Sequence, residues 1–250
     1  MRLTVVILTY NEAVHIQACI ESVLFADQVV VFDSFSQDDT VRRAEQAGAR
    51  VIQHPFEHYA SQRNAALDAV APTSDWVLFV DADERVTPEL AVEVRQAIEK
   101  PDRAGWRVPR HNYLFGRLTR GAGWFPDYQT RLLRIGAARY DPTRQVHELV
   151  ELDGPEGTLA NPLIHYNYQD TAQFHRKQQI YSAYDARILY EQGVRPKPQN
   201  YVLQPWRQFW WRFVTLKGYL DGWHGLRLSA WMAWYELRKY AQLRRMWGGT

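Results

Sequence analysis

Cysteine is nearly absent from this sequence. Its single thiol, Cys19, excludes an intramolecular disulfide and a multi-thiolate metal site, which fits a reducing compartment. On its helical pattern it reads as a small buried residue. Long apolar runs are lacking too: the densest stretch, Ala230 to Tyr235, falls far short of the roughly 18 residues that a spanning helix needs. The run Leu3 to Leu8 is too short for a secretory core segment and continues into Thr9-Tyr10-Asn11-Glu12 rather than a small-residue cleavage site, so no export signal is expected. Nor does charge of one sign prevail. Lys plus Arg number 30 against 28 Asp plus Glu, a formal +2, which supplies no global field of the kind that nucleic acid attracts. Repeats and low-complexity tracts are also missing. What remains is 250 residues, 46% apolar, enough for one large domain with an appendage.

The first hundred residues alternate short apolar runs with helical patterns. Leu3–Leu8, Gln28–Phe32, Arg50–Ile52 and Trp76–Val80 predict strands, and helices are expected over about 12–24, 39–47, 60–70 and 88–99. Runs that are apolar throughout predict parallel strands covered on both faces. The punctuation agrees: Asp38 or Asp39 can cap the second helix, Gly48 can end it, and Thr87-Pro88 supplies a cap and a first-turn proline for the fourth. From Gly105 to about Tyr168, short β-like pieces (Trp106–Val108, Arg131–Ile135, Leu163–Tyr166) predict a mixed-sheet extension. Thr171–Glu191 predicts one long helix capped by Asp170 or Thr171, and 193–205, with Pro196 and Pro198, reads as a linker.

Polar groups cluster where such a fold binds ligands. Trp76-Val-Leu-Phe-Val is followed by Asp81-Ala-Asp83-Glu84, carboxylates one residue apart that suit a hard divalent cation completed by phosphate oxygens and water. An isolated Asp-x-Asp can equally cap the next helix. Here Val30-Val-Phe-Asp33 and Thr9-Tyr10-Asn11-Glu12 end the earlier strands the same way, so three strand ends face one crevice.

These residues resemble the family 2 nucleotide-sugar glycosyltransferases of the GT-A fold. The matching pieces are Leu8-Thr-Tyr-Asn-Glu12, Val31-Phe-Asp33-Ser-Phe-Ser-Gln-Asp-Asp39-Thr40, Ser61-Gln-Arg63-Asn64 and Asp81-Ala-Asp83. More narrowly, Phe125-Pro-Asp127-Tyr-Gln129-Thr-Arg131-Leu-Leu, Val146-His147-Glu148 and Gly218-Tyr-Leu-Asp-Gly222-Trp-His-Gly225 are similar to bacterial lipopolysaccharide core β-1,4-glucosyltransferases. Phe35 departs from the pattern, which commonly has Gly there. The resemblance implies an α/β GT-A catalytic domain over 1–170, with a nucleotide-binding half over 1–100 and an acceptor half over 101–170. A helical, amphipathic C-terminal region over 171–250 follows.

The same resemblance implies roles. Thr9, Tyr10 and Glu12 would line nucleobase and ribose, Asp33 would accept from the uracil N–H, and Arg63 would approach base or diphosphate. Asp83 would hold Mg2+ or Mn2+ on the diphosphate, with Asp81 on ribose or metal and His147 as a third ligand; His165 competes for that last place. The cation would stabilise the departing nucleoside diphosphate. Inverting transfer also needs a carboxylate base for the acceptor hydroxyl, for which Asp127 is preferred and Glu148 is second. Gln129 and Arg131 would hold diphosphate or acceptor; a sheet-edge salt bridge is the plain alternative for Arg131.

The C-terminal fifth is a different kind of surface. Residues 199–250 carry eight Lys/Arg against Asp221 and Glu236, and seven of the ten tryptophans. Leu226, Ala230, Trp234, Leu237 and Ala241 form one face of a helix whose other faces carry Arg227, Arg238, Lys239, Gln242 and Arg245. Such a helix suits an anionic membrane surface, over residues 205–247, and equally suits packing on the catalytic domain or formation of a homo-oligomer. The net negative charge of 1–198 argues against nucleic acid. The expectation is a peripheral enzyme at the cytoplasmic face of the plasma membrane, moving glucose from UDP-glucose onto a lipid-linked saccharide such as lipopolysaccharide inner core. Polyprenyl-linked glycan and peptide are other acceptors, and a silent saccharide- or membrane-binding module is the non-enzymatic rival. A sugar nucleotidyltransferase would carry a Gly-rich loop after the first strand, which Thr9–Val14 lacks.

Overall fold

The computed structural model describes residues 1–100, 102–142 and 149–248. In chain order the elements are β1 (Leu3–Thr9), α1 (Ile16–Ser22), β2 (Gln28–Asp33), α2 (Thr40–Gln46), β3 (Arg50–Gln53), α3 (Tyr59–Val70), β4 (Trp76–Asp81), β5 (Glu84–Val86), α4 (Pro88–Ile98) and β6 (Gly105–Leu114). They continue with β7 (Arg117–Leu118), β8 (Tyr128–Arg134), β9 (Ala138–Tyr140), β10 (Val150–Leu152), β11 (Glu156–Thr158), β12 (Leu163–Tyr168), α5 (Thr171–Glu191), α6 (Asn200–Trp210) and α7 (Trp223–Gly248). The chain divides into two compact units, Met1–Arg110 with Tyr128–His165, and His111–Asp127 with Tyr166–Thr250.

The first unit is built on a sheet ordered β3-β2-β1-β4-β8-β6, its first four strands parallel and β8 antiparallel between β4 and β6. Alternation explains why those strands are apolar throughout. Leu3, Val5 and Ile7 of β1 and Trp76, Leu78 and Val80 of β4 join one buried cluster with Ile16, Ile20, Leu90 and Val94. Val6, Val77 and Phe79 face the other way, onto Ala60, Leu67, Val70 and Tyr140. With both faces covered, a period-2 pattern has no polar side to show. The helix stops and starts follow expectation: the Thr87 hydroxyl accepts from Leu90 N–H, and Gly48, after α2, has a φ of +83°. Asp39 occupies the cap position of α2 but pairs with Arg42 rather than with the helix backbone, while Asp38 accepts from Thr40 N–H. Cys19 is fully buried, and burial pushes its thiol up, so it is no thiolate nucleophile.

In the second unit, the end of β6 turns into β7 through Phe115 and Gly116, both at positive φ, as a two-residue hairpin loop requires. Leu114, Tyr168, Phe174, Leu228 and Tyr235 form its core, with Phe115 and Tyr168 edge-on to Phe174 and Trp231 tilted against it. The Asp170 carboxylate caps α5 on Gln173 N–H, and Gly193 follows that helix at a φ of +75°. One expectation is corrected: the stretch read as a linker to 205 becomes helical at Asn200, and Pro205 sits in the middle of α6, where it can make no backbone bond to the Tyr201 carbonyl. In α7 His224, Gly225, Leu228, Ser229, Tyr235 and Leu243 are buried, while Ala230 and Trp234 of the Leu226, Ala230, Trp234, Leu237, Ala241 face are exposed. Both stripes lie at helical spacing, and the aromatic surface of Phe174 and Trp231 selects between them.

Candidate active site

The register of the parallel strands aligns their carboxyl ends. Thr9 lies opposite Asp33 across β1 and β2, and Leu8 lies opposite Asp81 across β1 and β4. The loops after β1 and β2 are stitched together: Asn11 N–H donates to Ser36 Oγ, Gln37 N–H to Asn11 Oδ1, and Glu12 N–H to Thr40 Oγ1, each at 2.8 Å. Phe35, 47% exposed, adopts a φ of +59°, the left-handed region where glycine is at home. The departure from the glycine pattern therefore leaves the loop conformation in that region and adds an exposed ring.

Asp33 is fully buried and its carboxylate is spent inside the fold. It accepts from Thr9 Oγ1 (2.9 Å), Ser36 Oγ (2.5 Å), Ser36 N–H (2.9 Å) and Gln53 Nε2 (3.3 Å). These four donors tie Asp33 to the loop that follows β2 and organise it. Thr9, also buried, is committed to Asp33 in the same way. Tyr10, 59% exposed, and the half-buried Glu12 remain accessible at this rim.

A buried charge network underlies β4. Arg131 on β8 grips both oxygens of Asp81, with Nη1 at 3.2 Å from Oδ1 and Nη2 on Oδ2, and Arg63 on α3 reaches Oδ1 at 3.4 Å. Glu84 accepts from Asp81 N–H at 2.9 Å and pairs with Arg110 at 3.2 Å. Burial pushes the Asp81 carboxyl up, yet Arg131 and then Arg63 outweigh it and hold the carboxyl well below the usual carboxylate range. For Arg131 burial works against the charge, and Asp81 and Glu84 drive its ionisation constant above the ordinary arginine value. Arg63 is further braced by the Phe79 and Tyr140 rings, 5.0 and 5.7 Å from its guanidinium carbon. The Asp81 carboxylate is thus engaged by two guanidiniums, Arg131 and Arg63. Arg63, Tyr128, Gln129, Arg131 and Tyr140 line one cavity of about 360 Å³.

Asp83 has a different environment. Its Oδ2 lies 3.4 Å from Nε2 of the buried His165, which β12 brings opposite Glu84 on β5. Burial lowers the nearby His15 imidazole below its ordinary value, with the Asp83 charge opposing. Carboxylate and imidazole form a donor set that suits a divalent cation whose other positions go to phosphate and water, although the described residues contain no group of three acidic, histidine or cysteine ligands. His147 and Glu148 lie outside the described residues. Asp127 belongs to the second unit, where its Oδ2 accepts from the Asn112 amide at 3.0 Å. Glu84 was named from the sequence only within the Asp81–Glu84 cluster, and Arg110 and Asn112 were not singled out. Each is polar within a β-pattern, and only burial separates them from solvated strand residues.

The family model described as glycosyl transferase family 2 matches residues 4–147. The chain is a family 2 glycosyltransferase. Among similar family 2 enzymes, the lipopolysaccharide core biosynthesis glycosyltransferase LpsC of Rhizobium meliloti is 30% identical over 81% of this chain and 77% of its own. An uncharacterized glycosyltransferase of Rickettsia felis is 29% identical over 97% and 89%. The S. aureus TarS 1–349 structure, in complex with UDP, matches 100% of this chain and 92% of its own with a TM-score of 0.50 at 14% identity, a likeness of fold. The mixed α/β architecture of this family 2 enzyme is GT-A, as expected.

Proposed function

We propose that this enzyme transfers glucose from UDP-glucose, with inversion, onto a hydroxyl of a lipid-linked saccharide such as the lipopolysaccharide inner core. The observation that carries the reading is the shared rim, where aligned strand ends present the exposed Tyr10 and the Asp83–His165 pair. The part of the Rhizobium meliloti relative in lipopolysaccharide core biosynthesis supports the acceptor class. In this reading Tyr10 and Glu12 line base and ribose, and the cavity holding Arg63, Gln129 and Arg131 takes diphosphate or acceptor.

Asp83 and His165 would hold Mg2+ or Mn2+, with His147 as the further candidate. Such a cation supplies charge neutralisation of the departing nucleoside diphosphate. Asp127, the residue before β8 in the chain, takes the acceptor hydroxyl proton as that oxygen bonds to the anomeric carbon. The bond from that carbon to the diphosphate breaks, and its electron pair leaves with UDP. Glu148 is the second candidate for the base.

The same reading has the enzyme peripheral at the cytoplasmic face of a membrane, with residues 205–247 on anionic lipid. No described helix is long and apolar enough to cross a bilayer. Support comes from α6, which has no buried residue, and from the exposed Trp206, Trp210, Trp211, Leu220 and Trp223 beside the exposed Arg207 and Lys217.

Calorimetric titration with UDP, UDP-glucose, UDP-galactose, UDP-N-acetylglucosamine and GDP-mannose, with Mn2+ and with EDTA, tests the donor site. Metal-dependent binding of UDP-glucose, lost in Asp83→Ala, is the expected result. Unchanged binding in that variant with EDTA present would refute the metal assignment, and binding of GDP-mannose alone would refute the donor.

A further inference from the structure

The loop that carries Asp127 is tied to one buried amide. Asn112, near the end of β6, is 1% exposed, and its Nδ2 spends both protons on that loop, donating to the Trp124 carbonyl at 2.8 Å and to Asp127 Oδ2 at 3.0 Å. An amide with both donors so committed has one orientation.

The hairpin backbone is fixed independently. Arg120 N–H and Gly121 N–H donate to the Asp221 carboxylate at 2.8–3.0 Å, Thr119 Oγ1 meets His224 Nε2 at 3.1 Å, and Ala122 N–H donates to the Leu216 carbonyl at 2.8 Å. Asp221 and His224 belong to the Gly218–Gly225 motif and Leu216 just precedes it; the close approach within that motif requires glycine, since a Cβ on Gly225 would sit 1.8 Å from the Gly218 carbonyl oxygen. With the backbone held there, what stays adjustable is the orientation of the carboxylate itself.

We propose that Asn112 is the positioning residue for the Asp127 carboxylate: its amide sets the plane of the base and stabilises the ionised form, and takes no proton itself. This rests on the reading of Asp127 as the base. An N–H donor favours the charged carboxylate, whereas a second carboxylate about 3 Å away would disfavour it. The other titratable groups of this region are His111, Arg117, Arg120, Arg212, Asp221 and His224. Burial, and then Arg120, lower the His111 imidazole below its ordinary value; burial, with Arg227 and Arg117, does the same for His224. Both imidazoles are therefore held toward the neutral form. Burial also lowers Arg212, to about 10.

The test compares the full-length wild type, Asn112→Asp, Asn112→Ser and Asp127→Asn for kcat, KM and the pH profile of kcat, with UDP-glucose and delipidated core saccharide, alongside calorimetric UDP binding. For Asn112→Asp, kcat at pH 7 is expected to fall by about tenfold or more while the acidic limb rises by about one pH unit or more. KM for UDP-glucose and UDP affinity stay within about twofold, since donor binding does not use the base. Asn112→Ser, too short to reach Oδ2, raises the limb by less than Asn112→Asp does and lowers kcat several-fold. A kcat loss that tracks loss of folded protein, or a limb unmoved in Asn112→Asp, would overturn the proposal; if that variant does not fold, the kcat-against-KM split in Asn112→Ser decides. Full turnover by Asp127→Asn would remove the base reading itself. Inactive Asp127→Asn beside wild-type rates for the Asn112 variants would refute this inference alone.

Discussion

Replacing Arg131 by methionine removes the cation that holds Asp81 and reaches toward Glu84, while keeping most of the side-chain stem. Breaking a buried ion pair by deleting one partner costs about 3–5 kcal/mol, because the surviving charge stays desolvated. Asp81 keeps Arg63 at 3.4 Å and Glu84 keeps Arg110 at 3.2 Å, so the lower figure, about 3 kcal/mol, applies here. For a chain of this length that corresponds to a melting point about 6–12 °C lower. The loss should also depend on pH. The folded carboxyl of Asp81 is depressed, so its stabilisation is present above the ordinary aspartate value and disappears as pH falls through the folded value. The gap between wild type and Arg131→Met is therefore widest near pH 7 and narrows toward pH 3. Urea unfolding followed by far-UV circular dichroism at pH 7, 5 and 3.5 measures it. A loss below about 1 kcal/mol at pH 7, which is the scale of an exposed pair, would refute the reasoning. So would a gap that stays constant with pH.

Other outcomes follow from the same observations. Phe35→Gly relieves a left-handed residue that buries little, and is expected to raise stability by about 0.5–1 kcal/mol after the extra chain entropy of glycine is subtracted; a loss of similar size in denaturant melts would show that the ring is packing. Trp206→Ala combined with Trp210→Ala should cut retention on phosphatidylglycerol vesicles by about tenfold or more while leaving UDP binding unchanged; undiminished retention would remove α6 from the lipid contact, and retention on oligonucleotides instead would favour nucleic acid.

Much of the first unit was legible because its physics is local. Strands apolar at every position, Thr87-Pro88 ahead of α4 and Asp170 ahead of α5 state element type through periodicity and capping, which require only neighbours in the chain. The candidate site was legible as a set of strand ends rather than as a set of roles. Asp33 and Asp81 were correctly placed at the carboxyl ends of β2 and β4, yet their carboxylates face Ser36, Thr9 and Gln53 in one case and Arg131 and Arg63 in the other. An acidic residue at a strand end carries no mark of whether it meets solvent, a cation or a guanidinium from 50 residues away.

The amino-acid sequence by itself determined the alternating β and α elements of the nucleotide-binding half, the family to which the chain belongs, and the collection of Trp and Arg in its last fifth. Each is written in spacing, in contiguous motifs or in composition. Tertiary structure alone decided which stripe of α7 is buried, that β5 and β12 bring His165 to Asp83, and that Asn112 holds Asp127. Those outcomes depend on pairings between residues far apart in the chain, whose partners are chosen by the shape and desolvation of the whole core rather than by any local pattern.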